Sequence, residues 1–487
     1  MTFRVGLLVS TVALLAALFS PAESVAQAAD SEEVWVPAYL PTIQVPPVAT
    51  PIKIDGRIEA AEWSSAARTT SFTEVEPGDQ TEPSVVTEAF ITYDERHLYV
   101  AFRAFDRPSA VRASLRNRDE VYADDWVGII LDPYGDATRA YEIFANPLGI
   151  QFDLLWSQQG EDIGFDLIYH SDGRMTDNGY EVEFAIPFKS LRFPQREIHD
   201  WRVTFIRNHP RSSRHLYSWA AVSRDNPCML CQLGTIGGMS GIESGRTMEA
   251  IPAVVGVQSS RLSDSDMPGS MEHGRVSLEP SLNLRYSLSS TLSAEATLNP
   301  DFSQVESDAA QIDVNETFAL FFPERRPFFQ EGSEMFKSFI DVVYTRSINS
   351  PITAAKLTGQ PGRMSVGLIT AVDERTPIFI PGEEWSGFAE AGRSFSTIAR
   401  GRYSFGGNSF VGGVVSDRRY EQSGSGTEVG IDGQMQFLTN YRLFGQFVLS
   451  HSVEPVVEAT SDDYGSASFN RGAHTVALDG ESFAGHA

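Results

Sequence analysis

The chain has 487 residues, with 38 Lys and Arg against 64 Asp and Glu and a formal net charge of -26. A balance this acidic excludes a nucleic-acid binder, which needs basic surface to displace counterions from phosphate, and suits a secreted or envelope protein. The length exceeds one ordinary domain and predicts two, each able to bury its own core.

Residues 1–28 read as a secretory signal peptide: Arg4 supplies a basic start, residues 5–19 are largely apolar, and Ala26-Gln27-Ala28 offers small residues for cleavage. The expected location is therefore the bacterial outer membrane or periplasm. No later apolar stretch is long enough for a membrane helix, so any spanning falls to strands. Residues 29–51 form a proline-rich linker in which Pro46, Pro47 and Pro51 favour extended backbone. Residues 52–242 follow with short strand patterns at 89–93, 98–105, 126–131, 140–145, 180–186 and 201–207, and one helical turn near 58–67. Many short strands, divided by Gly, Pro, Asp and Asn with no amphipathic helix between them, predict a β-sandwich.

Four segments of this half carry a resemblance: Ile52-Lys-Ile-Asp-Gly-Arg-Ile-Glu-Ala-Ala-Glu-Trp63, Ile91-Thr-Tyr-Asp-Glu-Arg-His-Leu-Tyr-Val-Ala-Phe102, Asp124-Asp-Trp-Val-Gly-Ile-Ile-Leu-Asp132 and Gly179-Tyr-Glu-Val-Glu-Phe-Ala-Ile-Pro187. In this order they resemble the family 9 carbohydrate-binding module. The resemblance implies a β-sandwich that binds oligosaccharide or polysaccharide, often attached to glycoside hydrolases and often holding structural calcium. In that family a pair of tryptophans sandwiches the terminal sugar. The first position falls on Tyr122, three residues before Asp125. The second belongs to a loop that here reads Asn226-Pro-Cys-Met-Leu-Cys231, with no aromatic. Trp219, in the preceding strand, is open to two readings, substitute or core residue.

Sugar recognition needs aromatic faces for C–H groups and polar side chains for hydroxyls. The candidate carbohydrate-binding set is Tyr122, Arg118, Asn146, Trp219 and Trp126. Arg116 and Asp119, beside them, are open to two readings, contact with sugar hydroxyls or a solvated ion-pair cluster, with the cluster favoured for Arg116. Trp63 and Trp201 lie within apolar patterns and are assigned to the core, while Trp156 stays open between the two roles. Glycoside hydrolysis would need two carboxyl groups about 5–10 Å apart. Asp124, Asp125, Asp132, Asp153 and Glu142 are candidates by residue type alone, and no catalytic residue is assigned. Neither a HExxH zinc motif nor a GxSxG elbow occurs. Cys228 and Cys231 are expected to form a local disulfide in an oxidising compartment.

Residues 243–487 read as an outer-membrane β-barrel-like domain facing lipid. Val276, Leu278, Leu282, Leu284, Tyr286 and Leu288 alternate with Ser277, Glu279, Ser281, Asn283, Arg285 and Ser287. After Ser289-Ser290 the pattern resumes with Leu292, Ala294, Ala296 and Leu298, as a hairpin with one apolar and one wet face requires. Further strand patterns lie at 248–258, 352–358, 364–371, 396–405, 409–417, 428–437 and 441–450. Strands of this length and alternation are those of transmembrane barrels. Between them, the stretches 299–306 and 318–332 resemble an uncharacterised barrel-like domain that accompanies the family 9 module in bacterial envelope proteins. Phe321, Phe322, Phe328 and Phe329 are too dense to stay in water and are expected to pack on a wall, beside Glu324, Arg325, Arg326 and Glu331. Residues 300–335 are accordingly a candidate plug or gate, with a surface loop docked by its phenylalanines as the rival. The nine visible strands do not make an even-numbered barrel, so the barrel is expected to be incomplete and the C-terminus truncated.

The fold class expected is thus all-β, a sandwich followed by antiparallel membrane strands. The function expected is glycan binding at the outer membrane in support of oligosaccharide capture or uptake. The rivals are a glycoside hydrolase or its accessory, and a structural or assembly protein without sugar binding.

Overall fold

The computed structural model describes residues 35–487 apart from 158–159, 245–247, 259, 263–270, 301–323, 325, 331, 382–385, 407, 422–423, 439, 454–480 and 487. The signal-peptide expectation lies outside these residues, as do Phe321, Phe322, Arg325 and Glu331.

Two sheets make the first half. The strands are β1 (Thr42–Gln44), β2 (Ala67–Thr69), β3 (Thr73–Glu76), β4 (Thr87–Tyr93), β5 (His97–Phe105), β6 (Trp126–Asp132), β7 (Arg139–Ala145), β8 (Gln151–Ser157), β9 (Gly160–Asp162), β10 (His170–Thr176), β11 (Gly179–Pro187), β12 (Ile198–Pro210), β13 (Arg214–Ser218) and β14 (Gly234–Ser240). A nine-stranded sheet runs β1-β14-β12-β6-β7-β8-β9, with β13 joining β12 to β3, and a five-stranded sheet runs β10-β11-β5-β4-β2. Alternation puts Val127, Ile129, Ile143, Val203 and Phe205 of the first sheet against Val100, Phe102, Val182 and Phe184 of the second, and these form one buried core. The other face of β6, β7 and β8 is also apolar: Trp126, Ile130, Ala140, Phe144, Phe152 and Leu154 are covered by Cys228, Leu230 and Leu233. Strands buried on both faces read as continuous hydrophobic runs, which is why Trp126–Asp132 carries no alternation. A short helix, α1 (Ala60–Trp63), packs Trp63 onto the outer side of the five-stranded sheet with Phe90 and Tyr99.

The second half is built on a different rule. Strands β15 (Met248–Val257), β18 (Ser277–Ser289), β19 (Leu292–Leu298), β20 (Pro351–Gly359), β21 (Met364–Asp373), β24 (Ser394–Gly406), β25 (Ser409–Tyr420), β26 (Ser425–Phe437), β27 (Tyr441–Val453) and β28 (Glu481–His486) pair in sequence order as one ten-stranded sheet. Two hairpins branch from its connections, β16 (Ser260–Leu262) with β17 (Met271–His273) and β22 (Pro377–Pro381) with β23 (Ser386–Glu390). All ladders of the large sheet are antiparallel. One face exposes Leu278, Leu284, Tyr286, Leu368, Tyr403, Val411, Val415, Val429, Ile431, Met435, Leu443 and Phe447. The opposite face buries Ser293, Thr297, Lys356, Thr358, Ser365, Asp373, Ser396, Arg400, Asp432 and Gln434. Apolar residues outside and polar residues inside invert the ordinary order of a water-soluble sheet.

Among the described residues no ladder joins β15 to β28, and no closed barrel is present. No helix of the described residues is long and apolar enough to cross a membrane, which leaves strand spanning untouched. On one rim the β18 to β19, β20 to β21, β24 to β25 and β26 to β27 connections are all short; on the other the β15 to β18, β19 to β20, β21 to β24 and β27 to β28 connections are long and the β25 to β26 connection is short. The sandwich meets the short-turn rim. Gln360, after β20, donates to Asp136; Ser244 donates to the Ser290 carbonyl; and Gln436, late in β26, reaches Asn226 at 3.2 Å.

Candidate functional site: the Tyr122 face and the inward segment

The signature turn near residue 55 is an anchor. Glu183, on β11, is fully buried and accepts from the backbone N–H groups of Asp55 (3.0 Å), Gly56 (2.8 Å) and Arg57 (3.2 Å) and from Trp63 Nε1 (2.8 Å). A carboxylate collecting three successive N–H groups needs a sharp turn. Gly56 makes it, with φ 73° and the Gly173 backbone 3.1 Å from where a Cβ would stand. The Asp124-Asp125 pair is likewise an anchor. Asp124 accepts from Ser114 N and from Asn146 Nδ2, while Asp125 accepts from Arg112 N and both terminal nitrogens of Arg211.

Of the five sequence candidates for sugar contact, the structure brings two together. Tyr122 is 52% exposed, and its ring centroid lies 6.1 Å from that of Trp126. Phe152 supports the same ring edge-on at 6.1 Å. Trp126 is buried beneath, its Nε1 donating to the Tyr122 carbonyl at 3.2 Å. Trp219 faces the inner core, 5.2 Å from Phe205, on the opposite side of the sheet. Asn146 is buried in a turn, donating to the Ser114 carbonyl and Asp124 and accepting from Leu148 N and Ile150 N. Arg118 ties Gln151, Asp153 and the Leu167 carbonyl together and lies 5.4 Å from the Tyr169 ring. Sequence reasoning missed Arg214. It opens β13, is exposed, donates to Asn208 Oδ1, and sets its guanidinium 4.8 Å from the Tyr122 ring. No pattern near Arg214 signals this, because the pairing of β12 with β13 brings it there. An aromatic face beside a planar cation can hold sugar C–H groups and hydroxyls together.

Residues 54–202 match the sequence model described as carbohydrate family 9 binding domain-like. They form a family 9 carbohydrate-binding-like domain. Residues 263–364 match a second model, described as Domain of unknown function (DUF5916). A search of curated proteins finds no match. Among solved structures, a family 9 carbohydrate-binding module from Caldicellulosiruptor kristjanssonii in complex with cellotriose aligns at 18% identity, covering 42% of this chain and 94% of that one, with a TM-score of 0.30. A glucose complex of a family 9 module from the same organism aligns at 18% identity, covering 42% and 96%, with a TM-score of 0.31. A putative carbohydrate-binding protein from Bacteroides uniformis aligns at 15% identity, covering 42% and 99%, with a TM-score of 0.32.

Within this family 9 domain several buried acidic side chains serve the backbone. Asp132 accepts from the N–H groups of Tyr134, Gly135 and Ala137, and burial still pushes its carboxyl up to about 6. Asp153 bonds Arg118 and Leu167 N, with burial raising it to about 7. Glu142 is different. It is 6% exposed on the Trp126 side of the sheet, and burial, then the Glu161 charge, push its carboxyl up to about 8, with no hydrogen bond from the described residues to oppose them.

The calcium expected from the family has one candidate cluster among the described residues, where ligand atoms of Asp106, Asp125 and His209 lie within 4.8 Å of one another. Calcium takes oxygen ligands, and these are already engaged. Asp106 bonds His209 Nε2 at 2.9 Å and also Arg211, which holds Asp125 at 2.8 Å. Burial works against the charged Asp106, yet hydrogen bonds from Arg211 and Arg107 hold its carboxyl below the ordinary value. An arginine fills the position a cation would take, so the cluster does not fit calcium. Cys228 and Cys231 are joined by a disulfide, in the loop covering Ile130 and Ile206.

The segment after residue 324 packs on the polar face of the ten-stranded sheet. A one-turn helix, α2 (Pro327–Gln330), and the residues after it bury Phe328, Phe329, Met335, Phe336 and Ile348 against Ala354, Ile369, Ala371 and Ile398. Lys356 Nζ donates to the Phe328 carbonyl at 2.6 Å, and Arg326 donates to Glu324 and to the Ile348 carbonyl. The same segment touches the sandwich, through Arg139 with Glu334 at 3.4 Å and Ser333 with Asp162 at 3.1 Å.

Proposed function

We propose that this is an outer-membrane protein whose sandwich binds oligosaccharide at the Tyr122 face, on the periplasmic side, in support of glycan capture or uptake. The observation that carries the glycan reading is the half-exposed Tyr122 ring beside the Arg214 guanidinium, in a domain of a carbohydrate-binding family. The membrane reading is supported by the exposed apolar rows of the ten-stranded sheet and the buried polar rows behind them, the order that lipid outside and water inside select. Short turns of such barrels face the periplasm, and the sandwich touches the short-turn rim, so the glycan face belongs on that side. The inward segment, buried by its phenylalanines on the polar face, acts as a plug between rim and interior.

The test uses the full chain in detergent micelles and titrates cellotriose, the ligand named for one of the relatives. Binding that falls about tenfold or more in Tyr122→Ala supports the reading, since stacking contributes about 1–3 kcal/mol per ring by truncation. Wild-type protein that binds neither cellotriose nor any neutral glycan on an array refutes it. A second reading makes the sandwich a docking module without sugar binding. The burial of Trp126 and Trp219 favours it, and the same blank array would promote it.

A further inference from the structure

We propose that the Tyr122 face prefers a sugar that carries a carboxylate, a hexuronate, and that the terminal nitrogens of Arg214 make the choice. The proposal rests on the reading of this face as the glycan site and adds the class of sugar it takes. A neutral oligosaccharide would use the ring and leave the charge of the guanidinium unanswered.

Three features converge on that chemistry. The first is a fork left open. Arg214 is exposed at the start of β13, and its Nε donates to Asn208 Oδ1 at 2.8 Å. Among the described residues its Nη1 and Nη2 have no hydrogen-bond partner and no carboxylate pairs with it; its other contacts are the rings of Tyr122 and Trp126. Neighbouring arginines are already taken, Arg118 by Asp153, Arg211 by Asp106 and Asp125, and Arg112 by the Arg211 carbonyl. The acids of the Tyr122 loop are committed elsewhere as well. Asp124 is held by Ser114 and Asn146, Asp125 by Arg211, Asp119 lies 3.8 Å from Arg118, and Glu120 accepts from Asn117 at 3.3 Å. An open guanidinium fork binds a carboxylate in two parallel hydrogen bonds, so a uronate suits it better than a neutral sugar.

The second feature is that the fork is held in place. Asn208 is 1% exposed on β12, and while its Oδ1 accepts from Arg214 its Nδ2 donates to the Asp124 carbonyl at 2.8 Å. One buried amide thus ties the guanidinium to the backbone just after Tyr122. A planar group fixed beforehand loses less freedom when it meets a ligand. The third feature is spacing. The guanidinium carbon lies 4.8 Å from the centre of the Tyr122 ring and 6.0 Å from that of Trp126. A hexuronate bears its carboxylate directly on a ring carbon, so its C–H groups and its charge can meet Tyr122 and Arg214 within a single sugar. A bare inorganic anion would use the fork and waste the ring.

The experiment titrates the full chain in detergent micelles with trigalacturonate and, separately, with its methyl ester, which keeps the rings and removes the charge. Wild type is expected to bind the acid about tenfold tighter than the ester, and Arg214→Gln to bind the two about equally. Arg214→Lys keeps the charge without the fork and is expected to retain about a threefold preference. The ratio within each protein is the readout, because a loss of folded protein lowers both affinities together and cannot change it. Wild-type protein that binds acid and ester equally, or a full preference that survives in Arg214→Gln, overturns the inference and leaves the Tyr122 face standing. So does displacement of trigalacturonate by inorganic sulfate at equal concentration, which would mean an anion site without sugar recognition. Binding of no glycan, acidic or neutral, overturns the inference together with the reading beneath it.

Discussion

Glu142 makes the stability of the sandwich depend on pH in an unusual direction. Its register places it between Ile130 on β6 and Leu154 on β8, with Ala140 and Phe144 on the same face of its own strand. Burial and the Glu161 charge raise its carboxyl from 4.5 to about 8. An acid whose value is raised on folding keeps its proton in the native state while the unfolded chain gives it up. Stability is therefore full below about pH 4.5, falls as pH rises toward 8, and levels off above it. At about 1.36 kcal/mol per unit, the interval from 4.5 to about 8 corresponds to about 5 kcal/mol. Glu142→Gln keeps the volume and cannot ionise. The variant is expected to match wild type near pH 5 and to exceed it by several kcal/mol, up to about 5, near pH 8.5. Urea unfolding of the full chain in micelles, followed by tryptophan fluorescence at the two pH values, measures the difference. Parallel pH dependence in the two proteins would refute the argument, since it would mean that Glu142 is ionised in the native state.

Three further outcomes are expected. Gly128→Ala should destabilise the sandwich by about 3 kcal/mol, read as a lowered melting temperature, because the added Cβ would stand 2.0 Å from the Ile143 carbonyl oxygen and 2.5 Å from the Phe144 ring. Glu183→Ala leaves four donors unsatisfied and should lose about 4 kcal/mol in the same urea assay, with no change in the ten-stranded sheet. Ile431→Arg, at a position 62% exposed on the apolar face, should lower folding into liposomes by about 2–4 kcal/mol, measured as the folded fraction on a gel; equal insertion would contradict the lipid-facing assignment.

What the sequence determined by itself was the pattern of faces wherever one face is wet. In β18 and β19 the alternation of Leu284 and Tyr286 with Asn283 and Arg285 named the exposed and covered rows, because a strand has a period of two and the two sides of this sheet meet different surroundings. The family 9 segments were legible because each keeps its own run of residue types, although the Asp55-Gly56 turn and Trp63 meet Glu183 only in the fold. Which aromatics lie exposed and which lie in the core was decided by tertiary structure alone. Every residue of Trp126–Asp132 is buried, so no periodicity separates Trp126, under Tyr122, from a core residue, and Trp219 could not be assigned to either face before the sheets were paired. Arg214 beside Tyr122 and Arg139 against Glu334 come from positions far apart in the chain. Their meeting depends on strand order and on the docking of one half against the other, which no local pattern encodes.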